Sequence, residues 1–281
     1  MKKFLAYVIG VCAAIYAILC GLVFFVPQML FYAPSSSVSD IETAKESGLN
    51  VEQIEYKSED GTKLWAWYVK PSNGNDKVVV FMHGNAHNIE GFFHKLVPFA
   101  RKGYGIFLPE YRGFGGLNGE INQKNLEADA LAATKELQKL GYKNKDIIIY
   151  GMSLGSHTAV HTAYVLQKES PVAAVVLEVP FDSLANVVQD KVKVPMPLKF
   201  LMKEHYYDNM EIISQIRSPV MVMGGSKDEL VPVKLAKNLY QFAQEPKKMI
   251  IYPYAGHNDL YRFRNYNDVI SWLEENEKGL K

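Results

Sequence analysis

An α/β fold on a mostly parallel sheet is what this sequence predicts, on three observations. Short apolar runs rich in Val and Ile alternate with amphipathic segments of helical length. One of these runs, Ile147–Tyr150, stops at Gly-Met-Ser-Leu-Gly, which reads as a turn into a helix. The 281 residues, 48% hydrophobic and 22% charged, are globular in composition and suit one large domain or two small ones. A formal net charge of +1 and the lack of any long basic run argue against a nucleic-acid surface. Both cysteines, Cys12 and Cys20, lie near the N-terminus, so the body of the chain holds no disulfide, cysteine nucleophile or zinc knuckle.

The first element is apolar. Phe4 to Val26 contain no charged residue, and as a helix they span about 35 Å, enough to cross a hydrocarbon core of ~30 Å with some tilt. Lys2 and Lys3 precede this stretch and no basic residue follows until Lys45. The positive-inside rule then places the N-terminus in the cytoplasm and the rest of the chain beyond the membrane. A cleaved signal peptide has a shorter apolar core closed by a small-residue site. A lipoprotein signal at Cys20 is poorly served by the bulky Leu19 before it. Residues 1–34 are therefore expected to form a retained transmembrane anchor, with Phe31 and Tyr32 as aromatic interface residues.

Residues 35–50 read as a linker, polar over Ser35–Ser39 and suited to a brief helix over Ile41–Gly48. Residues 51–281 form the remaining domain. Val51–Lys57 and Leu64–Val69 are strand-like around the turn Glu59-Asp60-Gly61. Val78–Met82 is continuously apolar, as a strand buried on both faces should be. A helix-length segment, Ile89–Lys102, follows it. Ile106–Leu108 leads to a helix over about Gln123–Leu140, and Ile147–Tyr150 leads to one over Leu154–Lys168. Val172–Leu177, Val220–Met223 and Met249–Tyr252 complete the strands. Residues 182–218, with Pro195, Pro197 and mixed charge, break the rhythm and read as a short cap over one end of the sheet.

In open α/β sheets the chemistry sits at the carboxyl ends of the strands, which is where Ser153 stands. Gly151 and Gly155 suit a turn too tight for Cβ atoms, with Ser153 held clear of the surface as a nucleophile elbow. GMSLG, together with HGNA at His83–Ala86, YRGFGG at Tyr111–Gly116 and GHND at Gly256–Asp259, resembles the α/β-hydrolase superfamily. More narrowly, the chain is similar to its membrane-anchored serine hydrolases of serine-aminopeptidase-like and prolyl-oligopeptidase-like type, from about Val51 to the end. The resemblance implies the α/β-hydrolase fold and a serine hydrolase that uses no cofactor. Its motifs specify the fold far better than the substrate.

A serine needs a base within hydrogen-bond reach and an acid to orient that base. In this fold they follow in the order Ser, Asp or Glu, His. His257 is the one histidine beyond Met249–Tyr252. The acid should follow Val220–Met223, where Asp228 and Glu229 both stand. The resemblance selects Asp228 through D-x-x-V-P. The alternative leaves Asp228 capping the helix near Pro232 and makes Glu229 the acid. Asp259 is expected to cap the final helix. The oxyanion donors are the backbone N–H of Leu154 and, by resemblance, that of Asn85, with His83 bracing the loop.

Other features carry less chemistry. His157 and His161 have the i, i+4 spacing of zinc ligands but lack the glutamate of H-E-x-x-H and a third ligand, so no metal is expected. The glycines of Gly113–Gly119 do not fit a phosphate-binding loop, Arg112 reads as structural, and Glu178 has no assigned role. An anchor at the bilayer and an apolar cap stretch, Val194–Met202, favour small-molecule or lipid acyl substrates carrying ester or thioester bonds. A peptidase of the same fold and a non-catalytic, membrane-tethered binding module are the alternatives.

Overall fold

The apolar runs become the strands of one eight-stranded sheet in the computed structural model, which describes residues 1–25, 27 and 32–279. Helices α1 (Lys2–Phe25) and α2 (Ile41–Lys45) precede the hairpin of β1 (Glu52–Lys57) and β2 (Lys63–Val69). Then come β3 (Val78–Met82), α3 (Ile89–Phe93), α4 (Val97–Arg101), β4 (Gly105–Pro109) and α5 (Gln123–Lys139). β5 (Ile147–Met152) leads into α6 (Leu154–Leu166), and β6 (Ala174–Glu178) into α7 (Leu184–Val192), α8 (Leu198–Met202) and α9 (Met210–Ile213). β7 (Val220–Gly225), α10 (Val233–Phe242), β8 (Lys247–Tyr252) and α11 (Asn265–Gly279) close the chain. The strand order is β1-β2-β4-β3-β5-β6-β7-β8. β2 pairs antiparallel with β1 and β4; every other pairing is parallel.

Strand periodicity explains two cores. Ile147 and Ile149 of β5 face one side of the sheet with Val78, Val80, Val175 and Val222. Ile148 and Tyr150 face the other with Val79, Phe81, Val176 and Met221. Helices cover both sides, so these strands are apolar throughout rather than alternating. From β3 the chain passes to β4 on one side, and β5 lies on the other. That reversal is the switch point at which open α/β sheets place their sites.

Three local differences from the sequence reading have physical causes. The single helix expected over Ile89–Lys102 is two short ones, α3 and α4, with Pro98 in the first turn of the second. A proline ring clashes with the carbonyl four residues earlier and cannot sit deeper in a helix. Tyr32, expected at a membrane interface, is buried instead, its hydroxyl 2.7 Å from both His205 Nδ1 and the Tyr207 hydroxyl. A buried phenol seeks such partners. Its companion Phe31, and Val26 at the end of the expected span, lie outside the described residues. Asp259 does not cap the final helix; its carboxylate accepts the Gly256 N–H at 2.7 Å.

α1 is long and apolar enough to cross a membrane. Further along the chain, residues 35–37 are fastened rather than loose. Ser35 N–H donates to the His87 carbonyl, Ser35 carbonyl accepts from Gly115 N–H, and Asn88 Nδ2 donates to the Ser37 carbonyl.

Glu178, unassigned in the sequence, is a buried hub. Lys95 Nζ lies 2.9 Å from Oε1, and Oε2 accepts from the Tyr150 hydroxyl at 2.5 Å and Asn265 Nδ2 at 3.1 Å. Burial by itself pushes this carboxyl up, but Lys95, Tyr150 and Asn265 outweigh it and hold it below the ordinary glutamate value. Its stabilisation is therefore present above the unfolded pKa and lost as pH falls through the lower folded one. Lys95→Met removes the counter-charge and is expected to cost about 3–5 kcal/mol in denaturant unfolding at neutral pH. The orphaned carboxyl then has a raised pKa, so the gap to wild type should narrow as pH is lowered from about 8 toward 5. A gap of under about 1 kcal/mol at neutral pH contradicts the hub.

Candidate active site

The turn between β5 and α6 carries Ser153 at φ 51°, ψ −116°, in the left-handed half of backbone space where residues other than glycine are strained. Two close approaches impose this turn. A Cβ on residue 155 would overlap the Met82 carbonyl and lie 2.6 Å from the His83 carbonyl oxygen. One on residue 151 would lie 2.6 Å from the Ala159 Cβ. Only glycine at both lets α6 start hard against β3 and β5. The Ser153 N–H donates to the Glu178 carbonyl at 2.9 Å, which ties the turn to the buried hub.

Two further strand ends bring their loops to this serine. After β8, His257 Nε2 lies 2.9 Å from Ser153 Oγ. After β7, Asp228 Oδ2 lies 2.7 Å from His257 Nδ1. A carboxylate only accepts, so His257 donates from Nδ1 and presents a bare Nε2 to the serine hydroxyl. Asp228 Oδ1 accepts the N–H groups of Leu230 and Val231 at 2.9 and 2.8 Å, which fixes the carboxylate plane. Asp228 thus folds its own loop and does not cap α10, whose N-terminus has no side-chain cap. Glu229, the alternative acid, is exposed. At Gly225 a Cβ would lie 2.6 Å from the Gly256 carbonyl oxygen, so glycine there lets the β7 end touch the His257 loop.

Leu154 opens α6, so its N–H has no carbonyl within the helix to bond and sits at the positive end of the helix dipole. Asn85 lines the same cavity as Ser153 and Leu154, and its side-chain oxygen accepts from Ala33 and Ala86 N–H. His83 is fully buried beneath this loop, with Nε2 3.1 Å from Glu110 Oε1 and Nδ1 2.9 Å from the Gly84 carbonyl. The cavity measures about 450 Å³ and is overwhelmingly apolar, with Phe181, Val187 and Val188 in its walls. It also takes in Leu19, Leu22 and Val23 of α1, which nothing in the sequence reading assigned to the site.

The remaining candidates serve the scaffold. His157 Nε2 lies 2.7 Å from Glu127 Oε1 and its Nδ1 2.9 Å from Asn209 Oδ1; His161 Nε2 lies 3.5 Å from Glu127 Oε2. Burial pushes Glu127 up, yet these histidines and Gln123 hold it below the ordinary value. Arg112 pairs with Asp129 and Asp60, each at 2.6 Å.

A sequence model of the alpha/beta hydrolase fold matches residues 77–207. An uncharacterised Mycobacterium tuberculosis protein is 33% identical over 258 residues, covering 89% of this chain and 88% of that one. Human alpha/beta hydrolase domain-containing protein 17B is 30% identical, covering 75% of this chain and 70% of its own. An uncharacterised membrane protein of Saccharomyces cerevisiae is 28% identical, covering 82% and 81%. Among solved structures, an esterase of Pyrococcus furiosus superposes with a TM-score of 0.69 at 20% identity, covering 86% of this chain and 98% of that one.

The close approach at Gly155 makes a direct test. Gly155→Ala is expected to destabilise the fold by about 3 kcal/mol or more, measured by denaturant unfolding. A shift of under about 0.5 kcal/mol, within the range of an ordinary surface change, contradicts the packing described.

Proposed function

Because the chain belongs to the α/β-hydrolase family, we propose that it is a serine hydrolase cleaving carboxylic ester or thioester bonds of apolar acyl substrates. The observation that carries this reading is the chain of two contacts, Ser153 Oγ to His257 Nε2 at 2.9 Å and His257 Nδ1 to Asp228 at 2.7 Å.

Ser153 is the nucleophile, His257 the base and Asp228 the acid that holds the imidazole tautomer. The serine proton passes to His257 Nε2 as Oγ bonds to the substrate carbonyl carbon. The carbonyl oxygen becomes an anion facing the N–H groups of Leu154 and Asn85. The carbon–oxygen or carbon–sulfur bond to the leaving group then breaks, and that group departs with the proton from His257. Water next attacks the acyl-enzyme, giving its proton to His257, which returns it to Ser153 Oγ as the acid leaves. One preorganised oxyanion donor is worth on the order of 10²–10³ in kcat.

The cavity supports the substrate class. Among the described residues its lining is apolar and holds no carboxylate that would pair with a peptide amine, with Lys191 the one charged residue there. For the chain's placement, the proposal is that α1 is a retained anchor within residues 1–34, that 35–50 leads out of it, and that 51–281 is the hydrolase domain with 182–218 as its cap. The basic Lys2 and Lys3 put the N-terminus in the cytoplasm and the domain on the far side.

Fluorophosphonate labelling tests the nucleophile. The full chain should label rapidly, and both Ser153→Ala and His257→Ala should abolish it. Asp228→Asn should slow ester turnover by on the order of 10⁴-fold, because the imidazole loses its orienting acceptor. Absence of labelling in the folded wild type, or labelling that survives Ser153→Ala, sinks the assignment.

A further inference from the structure

We propose that the last turns of α1 form one wall of the acyl site, and that the acyl chain of a bilayer-resident substrate reaches Ser153 by sliding along this helix without crossing water. The inference rests on the serine-hydrolase reading above and adds where the substrate's chain lies.

The cavity over Ser153 is lined by Leu19, Leu22 and Val23 of α1 and by Val187 and Val188 of α7. Leu19 and Leu22 are part-open, 37% and 45% exposed, so the wall is also an edge. Below it α1 is packed tightly to the cap. Val23 is buried with Ala185, Leu198, Leu201 and Met202, and the Phe24 ring stacks on Phe200 at 6.1 Å. The Tyr16 hydroxyl donates to the Pro195 carbonyl at 2.9 Å, which extends the contact up the helix. Tyr16 and Val23 are seven residues apart and share one helix face.

Helix length then decides where the cap sits. Tyr16–Phe25 lies along the cap and takes up about 15 Å; Lys2–Ile15 leaves only about 21 Å, short of a hydrocarbon core of ~30 Å. A spanning α1 can therefore satisfy the bilayer only if part of the cap-packed stretch is also immersed, by about 10 Å. The cap surface suits that depth. Val194 and Phe200 of the cap, together with Leu230 in the loop after β7, are exposed apolar side chains, 43%, 70% and 53% open to solvent. Lys193 and Lys199 beside them are 71% and 79% exposed and long enough to keep their charges at the headgroups. An amphipathic surface buried ~5–10 Å below the headgroups is an ordinary interfacial geometry. At that depth the edge formed by Leu19 and Leu22 faces lipid tails, so an acyl chain passes from bilayer to cavity between two apolar surroundings.

The test uses the full chain in lipid nanodiscs, with p-nitrophenyl butanoate and dodecanoate as substrates. Leu22→Trp fills the α1 side of the cavity and should lower the dodecanoate-to-butanoate turnover ratio at least tenfold. Leu22→Ala, which enlarges the same wall, should leave the ratio at or above that of wild type. Ile9→Trp, on the exposed part of α1 remote from the cap, should leave it unchanged. Fluorophosphonate labelling confirms that each variant is folded, and Leu19→Phe serves if Leu22→Trp fails to label. Ratios indifferent to Leu22 and Leu19, or lowered equally by Ile9→Trp, overturn the wall. A wild type that labels but turns over neither ester overturns the acyl-substrate reading itself.

Discussion

The start of α6 lies so close to β3 that no side chain fits at position 155, and this contact sets the geometry of everything above it. Above it stands Ser153, held at a φ of 51°. The strain of such a residue costs about 1–3 kcal/mol and persists only where surrounding packing over-determines it. Here the over-determination is visible. Two glycines, the Glu178 carbonyl and the fully buried residues of β5 all hold the turn from below.

From that fixed point the remaining groups follow the order of the sheet. β5, β7 and β8 each deliver one side chain at their carboxyl ends, and the parallel pairing brings those ends to the same edge. Each delivered residue is itself braced. Asp228 is held by two backbone N–H groups of its own loop, the His257 loop by Asp259, and the Asn85 loop by buried His83 and Glu110. Orientation of the imidazole is thus settled by the folded chain itself.

Much of this was legible because it is local. Continuous apolar runs mark doubly covered strands, and a serine flanked by glycines at the end of one marks a strained turn. Which strand each loop succeeds points to His257 and to the pair Asp228 and Glu229, between which only the family resemblance selects Asp228. What was not legible depends on distant partners. Lys95 and Glu178 are separated by 83 positions, and neither residue's neighbours signal that they meet. Tyr32 reads as an interface aromatic until His205 and Tyr207 fold over its hydroxyl. Residues 35–37 are held through their own backbone groups, which carry no sequence signature. Leu19 and Val23 look the same in sequence whether they face lipid or protein, since both surroundings are apolar.

The apolar helix ends against the cavity in which the serine is presented, with its Val23 buried among Ala185, Leu198, Leu201 and Met202. The proposed chemistry stands or falls on that serine. The most direct measurement is steady-state turnover of p-nitrophenyl butanoate by the full chain and by Ser153→Ala at matched, folded concentrations. A loss on the order of 10⁴-fold or more is the result predicted; retention of activity to within tenfold would contradict the assignment of Ser153 as nucleophile.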